Sequence, residues 1–226
     1  MNEKNNVSLE GVIVDGYMDV LPNKDLPFAS VLICSSEKKA DGSIDKLFYR
    51  ARFPVSPDKI DKMAAIFNNC RSQESKIPHF LSVSGELRND KKGQPFVLAK
   101  EKDTALGLKP IGTENKISIN GEMHKILNKS AVAVTVMVKV DDKNGKTTNF
   151  PVTFNSHKHP IEWAGIINGK IKEGDSIKVS GKLDGRMYAH SPGKDLMTVA
   201  SVIAENAVIK AKKLGRPEQI KPNQVK

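Results

Sequence analysis

Apolar and polar residues alternate in short runs along much of the chain, and the period lengthens from two to about 3.6 at two places. Ala29, Val31 and Ile33 put one apolar face on a strand, as do Val134, Val136, Val138 and Val140 further on. Leu47, Tyr49, Ala51 and Phe53 do the same for the next strand, matched later by Phe150, Val152 and Phe154. Polar turns fall between these pairs at Ala40-Asp41-Gly42 and Asp142-Lys143-Asn144-Gly145, where Asp-Gly and Asn-Gly supply the backbone a hairpin requires. Ser56-Pro57-Asp58 then reads as a helix cap with proline at the first helical position, followed by Ile60, Met63, Ala64 and Phe67 at helical spacing. Pro160, Ile161, Ala164 and Ile167 give the second helix. Short first strands are predicted around Leu9 and Ile13 and around Ile119 and Met123. Fourth strands are predicted over Phe80–Leu87 and Ser176–Leu183, and fifth strands over Phe96–Ala99 and roughly Leu196–Ala204.

The chain repeats itself. Val7-Ser8-Leu9-Glu10-Gly11 parallels Ile117-Ser118-Ile119-Asn120-Gly121 at an offset of 110 residues. Leu81-Ser82-Val83-Ser84-Gly85-Glu86-Leu87 parallels Ile177-Lys178-Val179-Ser180-Gly181-Lys182-Leu183 at an offset of 96. Two related units, the second with a shorter middle, produce that pattern. Three strands, a helix and two strands in about 90 residues is the order of an OB-fold, a five-stranded Greek-key barrel. An immunoglobulin-like sandwich has no such central helix, and a ferredoxin-like unit has two. The fold expected is therefore all-β with small helices: two OB barrels in tandem over residues 5–101 and 116–207. Residues 102–115, with Gly107, Pro110 and Gly112, are the expected linker, and residues 208–226 a disordered basic tail.

Composition narrows the class. Of 226 residues, 38% are hydrophobic and 27% charged, enough for a core and too apolar for disorder. No run of about 18 apolar residues occurs, so no membrane span or membrane partner is expected, and the polar start is not a signal peptide. Cys34 and Cys70 stand alone, which argues against a disulfide framework or zinc module and fits a reducing, cytoplasmic setting. The formal charge is +10, and the last 19 residues carry six Lys and Arg against one Glu. A polyanion is the natural partner, nucleic acid before membrane. His157 and His159 lack a third ligand and fit a helix start; Asp141 and Asp142 fit a turn. No Ser/His/Asp set or phosphate-cradling loop can be assembled, so neither catalysis, metal nor cofactor is expected.

Strand alternation selects the candidate contacts. With Leu47, Tyr49, Ala51 and Phe53 inside, Phe48, Arg50 and Arg52 form one outer stripe, with Lys46 leading into it. A ring followed by guanidinium groups at two-residue spacing suits a single strand, whose bases stack and whose phosphates need cations. The second unit's outer stripe is Thr147, Asn149 and Thr153, which cannot stack. Its candidates are Lys139, Lys143 and Lys146 at the hairpin and Arg186, Tyr188 and Lys194 in the later loop. Lys91 and Lys92 hold the matching loop of the first unit, and Lys212, Lys213 and Arg216 the tail. Phe80 and Phe96 are undecided between face and rim; Trp163 fits core or inter-domain packing.

The stretch Glu173-Gly174-Asp175-Ser176-Ile177-Lys178-Val179-Ser180-Gly181-Lys182-Leu183 resembles the helix-to-strand-four segment of bacterial single-stranded DNA-binding proteins. The resemblance implies base stacking on aromatics from strand three and from the loop joining strands four and five. Those places fall on Phe48 and Tyr188, whereas Asn149 and Lys91-Lys92 occupy the corresponding places of the other copies. The last residues given are basic, so partner recruitment through the family's acidic C-terminal tip is not expected. The implied function is non-enzymatic coating of single-stranded DNA with low sequence specificity in replication, recombination or repair, of a phage, plasmid or mobile-element type. An RNA-binding OB protein and a protein–protein adaptor are the alternatives, and a homo-oligomer is compatible with the sequence.

Overall fold

The alternating runs become β1 (Asn5–Asp19), β2 (Phe28–Lys38) and β3 (Ile44–Pro54), then α1 (Ile60–Arg71), β4 (Phe80–Asn89) and β5 (Pro95–Gly107). The second unit repeats the order as β6 (Lys116–Lys129), β7 (Ala133–Asp141), β8 (Thr147–Asn155), α2 (Pro160–Ile167), β9 (Ser176–Ala189) and β10 (Leu196–Lys210). The computed structural model describes residues 5–19, 27–39, 41–72, 77–141, 146–189 and 196–212.

Each unit closes on itself. β1 pairs antiparallel with both β2 and β4, β2 with β3, and β4 with β5; a short parallel contact, Ala51 opposite Val97 and Arg52 opposite Leu98, completes the ring. β6 to β10 repeat this pattern, with Val202 opposite Val152 and Ile203 opposite Thr153. These are two OB barrels, closed so that few strand edges remain. Inward residues such as Leu9, Ile33, Tyr49 and Leu87, and Ile119, Val138, Phe150 and Leu183, are buried.

The repeated glycines have one physical cause. A Cβ on Gly11 would collide with the Cys34 carbonyl, and one on Gly121 with the Lys139 carbonyl. Gly85 and Gly181 stand equally close to the carbonyls of Leu98 and Ile203. Barrel closure presses backbone on backbone there, and only glycine fits.

Several boundaries differ from expectation. β5 continues to Gly107, into the expected linker, because after a bulge its second half pairs with Phe80–Val83 of β4. The linker that remains is pinned by Glu10, whose carboxylate accepts from the amides of Ile111 and Thr113, both at 2.7 Å. β10 likewise continues to Lys210, since Val208, Ile209 and Lys210 pair with the start of β9. The Lys212 amide then donates to Asp175 Oδ1 at 2.9 Å, so residues 208–212 belong to the barrel rather than to a tail. Ser56 stands before a 3-10 turn (Pro57–Lys59), but its hydroxyl donates to Glu101 of β5 at 2.8 Å instead of capping the helix.

The two barrels share one ten-stranded sheet through an antiparallel pairing of β1 with β6. Val7 lies opposite Ile117, its own counterpart in the repeat, so an approximate twofold axis passes between them. Asn5 and Asn115 obey the same symmetry. Asn5 brackets the backbone of Leu87, at 2.6 Å to its oxygen and 3.2 Å to its nitrogen. Asn115 brackets Leu183 at 2.9 and 3.1 Å.

Candidate nucleic-acid interface

Leu47, Tyr49, Ala51 and Phe53 are buried, while Phe48, Arg50 and Arg52 alternate with them half-buried on the outer side and Lys46 is exposed. On β2, Cys34 lies opposite Phe48, Leu32 opposite Arg50 and Ser30 opposite Arg52. The Cys34 thiol is held protonated by burial, which pushes its pKa up. The Arg52 guanidinium lies 4.6 Å from the centre of the Phe96 ring, which places Phe96 on the outer face. Arg88 is opposite Phe96 in the β4–β5 ladder and is paired with Glu86.

Tyr17 joins the same face. It pairs with Ser30, which pairs with Arg52, so the three stand in one row, and Tyr17 is 43% exposed. Plain alternation along β1 would have turned Tyr17 inward. A bulge between Ile13 and Asp15 reverses the strand's faces, burying Gly16 and exposing Tyr17. One side of the first barrel thus carries three rings, Tyr17, Phe48 and Phe96, among Arg50, Arg52 and Arg88. Rings offer stacking worth about 1–3 kcal/mol per base, and guanidinium groups offer forked donors to phosphate.

Phe48 also stands at the boundary between the barrels. With Arg50 and Phe96 it lines a narrow cleft of about 10 Å³ whose other wall is Leu183, Thr198 and Ala200. The Tyr49 hydroxyl donates to the Leu183 carbonyl at 2.6 Å and accepts from Asn115 at 2.9 Å. A Cβ on Gly185 would strike the Phe48 carbonyl and the Tyr49 ring, so the β9 backbone lies directly against β3. Arg186, a candidate phosphate contact by sequence, forks onto Asp45 of the first unit at 2.9 and 3.1 Å and reaches Asp184 at 2.8 Å. Lys182 pairs with Glu37 beside it. The guanidinium and Lys39 hold the Asp45 carboxyl below the ordinary carboxylate range.

Among the described residues, the second barrel offers fewer candidate contacts on the matching face. Thr147 and Asn149 are exposed, and Lys139, opposite Asn149 on β7, is 3.9 Å from Asp141. Lys91, Lys92 and Lys146 are exposed; Lys91 and Lys146, from different units, line one groove. Lys212 is exposed at the end of the barrel. Tyr188 lies in β9 opposite Met197. Lys143, Lys194, Lys213 and Arg216 lie outside the described residues. Trp163 packs on the core and donates to the Ser130 carbonyl at 3.1 Å, within its own unit. His159 starts α2, buried, with Nε2 at 2.9 Å from the Ala204 carbonyl.

No family model and no curated protein sequence matches the chain. Solved structures do. The wild-type single-stranded DNA binding protein from Thermus aquaticus matches with a TM-score of 0.60 at 15% identity, over 94% of this chain and 96% of that one. A deletion mutant of the same protein matches with a TM-score of 0.59 at 17% identity, over 95% of this chain and 98% of that one. The likeness spans both barrels, and the chain therefore shares the tandem OB-fold of that protein.

Proposed function

We propose that this protein binds single-stranded DNA without catalysing a reaction, covering the strand with little sequence preference during replication, recombination or repair. The observation that carries the reading is the outer face of the first barrel, where Phe48, Phe96 and Tyr17 stand among Arg50, Arg52 and Arg88. Rings set among cations favour stacking and phosphate contact over sequence readout. The solved structures of like fold are of a single-stranded DNA binding protein, which agrees with that chemistry. The expected asymmetry is a strong first unit and a weaker second one, whose equivalent of Phe48 is Asn149. A phage, plasmid or mobile-element setting fits such a two-barrel binder with a basic tail.

Anisotropy titration of labelled oligothymidylate, its duplex and a matched RNA at several salt concentrations tests the reading. Tight binding of the single strand over the duplex, with affinity falling linearly in log salt, is the expected result. Equal or tighter binding of RNA would change the ligand. Absence of binding at low salt would leave the adaptor role instead.

A further inference from the structure

The approximate twofold axis gives the molecule two equivalent crossings where a strand-three hairpin of one barrel meets the β4–β5-type hairpin of the other. One is the sealed seam, where Arg186 forks onto Asp45 and the Gly185 backbone lies against Phe48 and Tyr49. The other is an open groove of about 320 Å³ between the β4–β5 turn and the start of β8. Counting from the matched pairs Phe48/Asn149 and Leu87/Leu183, Lys146 stands where Asp45 does and Asp90 where Arg186 does. The charges are exchanged, and a short aspartate takes the place of the long arginine that fills the sealed crossing. Leu87 reaches its partner Val97 within ten residues, whereas Leu183 reaches Val202 over nineteen.

We infer that the open groove is a phosphate-binding subsite built from both units, through which a single strand passes from the first barrel to the second. Lys91 comes from the first unit and Lys146 from the second, Asn89 and Asn149 add hydrogen-bonding groups between them, and the Thr147 hydroxyl donates to Asp141 at 2.6 Å. Asn89 Nδ2 lies 3.4 Å from the Asn149 carbonyl, so the two walls meet at the floor. Asp90 also lines the groove, but its Oδ1 is engaged by the amides of Lys92 and Gln94, at 2.8 and 2.9 Å. The groove continues the aromatic face. Phe96 is opposite Arg88, Asn89 follows Arg88, and Asn149 is opposite Lys139 on the second barrel. A polyanion leaving the Phe96 ring meets Arg88, then Lys91 and Lys146 in the groove, then Lys139 on the second barrel, while the sealed crossing offers no passage.

The inference rests on the single-strand reading above, and the test separates the two. The full chain and its Lys91→Ala, Lys146→Ala and Phe48→Ala variants are titrated with labelled oligothymidylates of about 8 and about 30 nucleotides, lengths that occupy one barrel or extend beyond it. Both lysines are exposed, and thermal melts confirm that the variants fold. Each lysine variant is expected to weaken the long oligomer about two- to fivefold and to leave the short one unchanged. The salt slope for the long oligomer should fall by about 0.7 for each phosphate no longer neutralised. Equal weakening of both lengths would reduce the lysines to a general field and overturn the subsite. Unchanged long-oligomer binding, with Phe48→Ala still weakening both lengths, would overturn the subsite and keep the single-strand reading. No binding by the unaltered chain would remove both.

Discussion

Phe96 takes its role from its neighbours, because Arg52 lies over its ring and Arg88 stands opposite it on the adjoining strand. Truncating Phe48 or Phe96 to alanine should weaken oligothymidylate binding by about 1–3 kcal/mol each, read as the change in Kd. Asn149→Ala, at the equivalent of Phe48, removes no ring and should leave the Kd of an oligothymidylate of about 8 nucleotides nearly unchanged. Tyr49 is a different kind of residue, joined by its hydroxyl to Leu183 and Asn115. Tyr49→Phe should cost about 0.5–1.5 kcal/mol in denaturant unfolding at neutral pH, the net worth of a hydrogen bond. Burial, aided by the carboxylates of Asp184 and Glu37, holds the Tyr49 phenol above its ordinary value. A raised folded value favours the neutral ring, so this contribution is complete below about pH 10 and is lost as pH rises through the folded value. The phenylalanine variant should lose less stability on that alkaline limb than the parent.

At the scale of elements, the seam depends on two hairpins reaching past their own barrels. Arg186 and Asp45 are 141 positions apart, and the contact exists because β9 continues beyond its last pairing with β6, at Gly181. Asp45 has a lowered pKa, first through its bond with Arg186 and then through Lys39. Its contribution is therefore present above the ordinary carboxylate value, about 3.9, and is lost as pH falls through the lowered one. Melts of Asp45→Asn across acid pH should show a shallower acid limb, and an Arg186→Gln partner should remove the difference between the two. The barrels themselves were legible in the sequence, since alternation, the change of period before each helix and the repeated glycines are all local signals. The seam was not. Arg186 reads as a loop cation until the register of β1 on β6 brings the first unit beside it. Tyr17 was hidden by one extra residue in β1, which turns the remainder of that strand over. Phe96 waited on the registers of β5 against β4 and β3, which bring Arg88 and Arg52 beside it.

For the whole molecule, Asp175 fastens the residues that follow β10. Its carboxylate accepts from the amides of Lys172 and Lys212, at 3.0 and 2.9 Å, and is buried. Burial pushes its pKa up, but those two bonds outweigh it and the carboxyl stays ionised below its ordinary range. A chain ending at Lys212 keeps the barrels and this anchor. It should retain its preference for single strands while its salt slope drops by about 0.7 for every phosphate the removed residues had neutralised. An unchanged slope in that titration would show that residues 213–226 do not touch the strand. The axis through Val7 and Ile117 has a consequence of its own. Two separate copies of one barrel, docked through that strand, would form an isologous dimer in which every contact occurs twice. Sealing one side would then seal the other, and opening one would open both. Joining the copies in a single polypeptide lifts that constraint, since Asp45 and Lys146 are encoded independently. The covalent link thus lets a pseudo-symmetric body be glued on one flank and porous on the other, which identical subunits cannot achieve without breaking their symmetry.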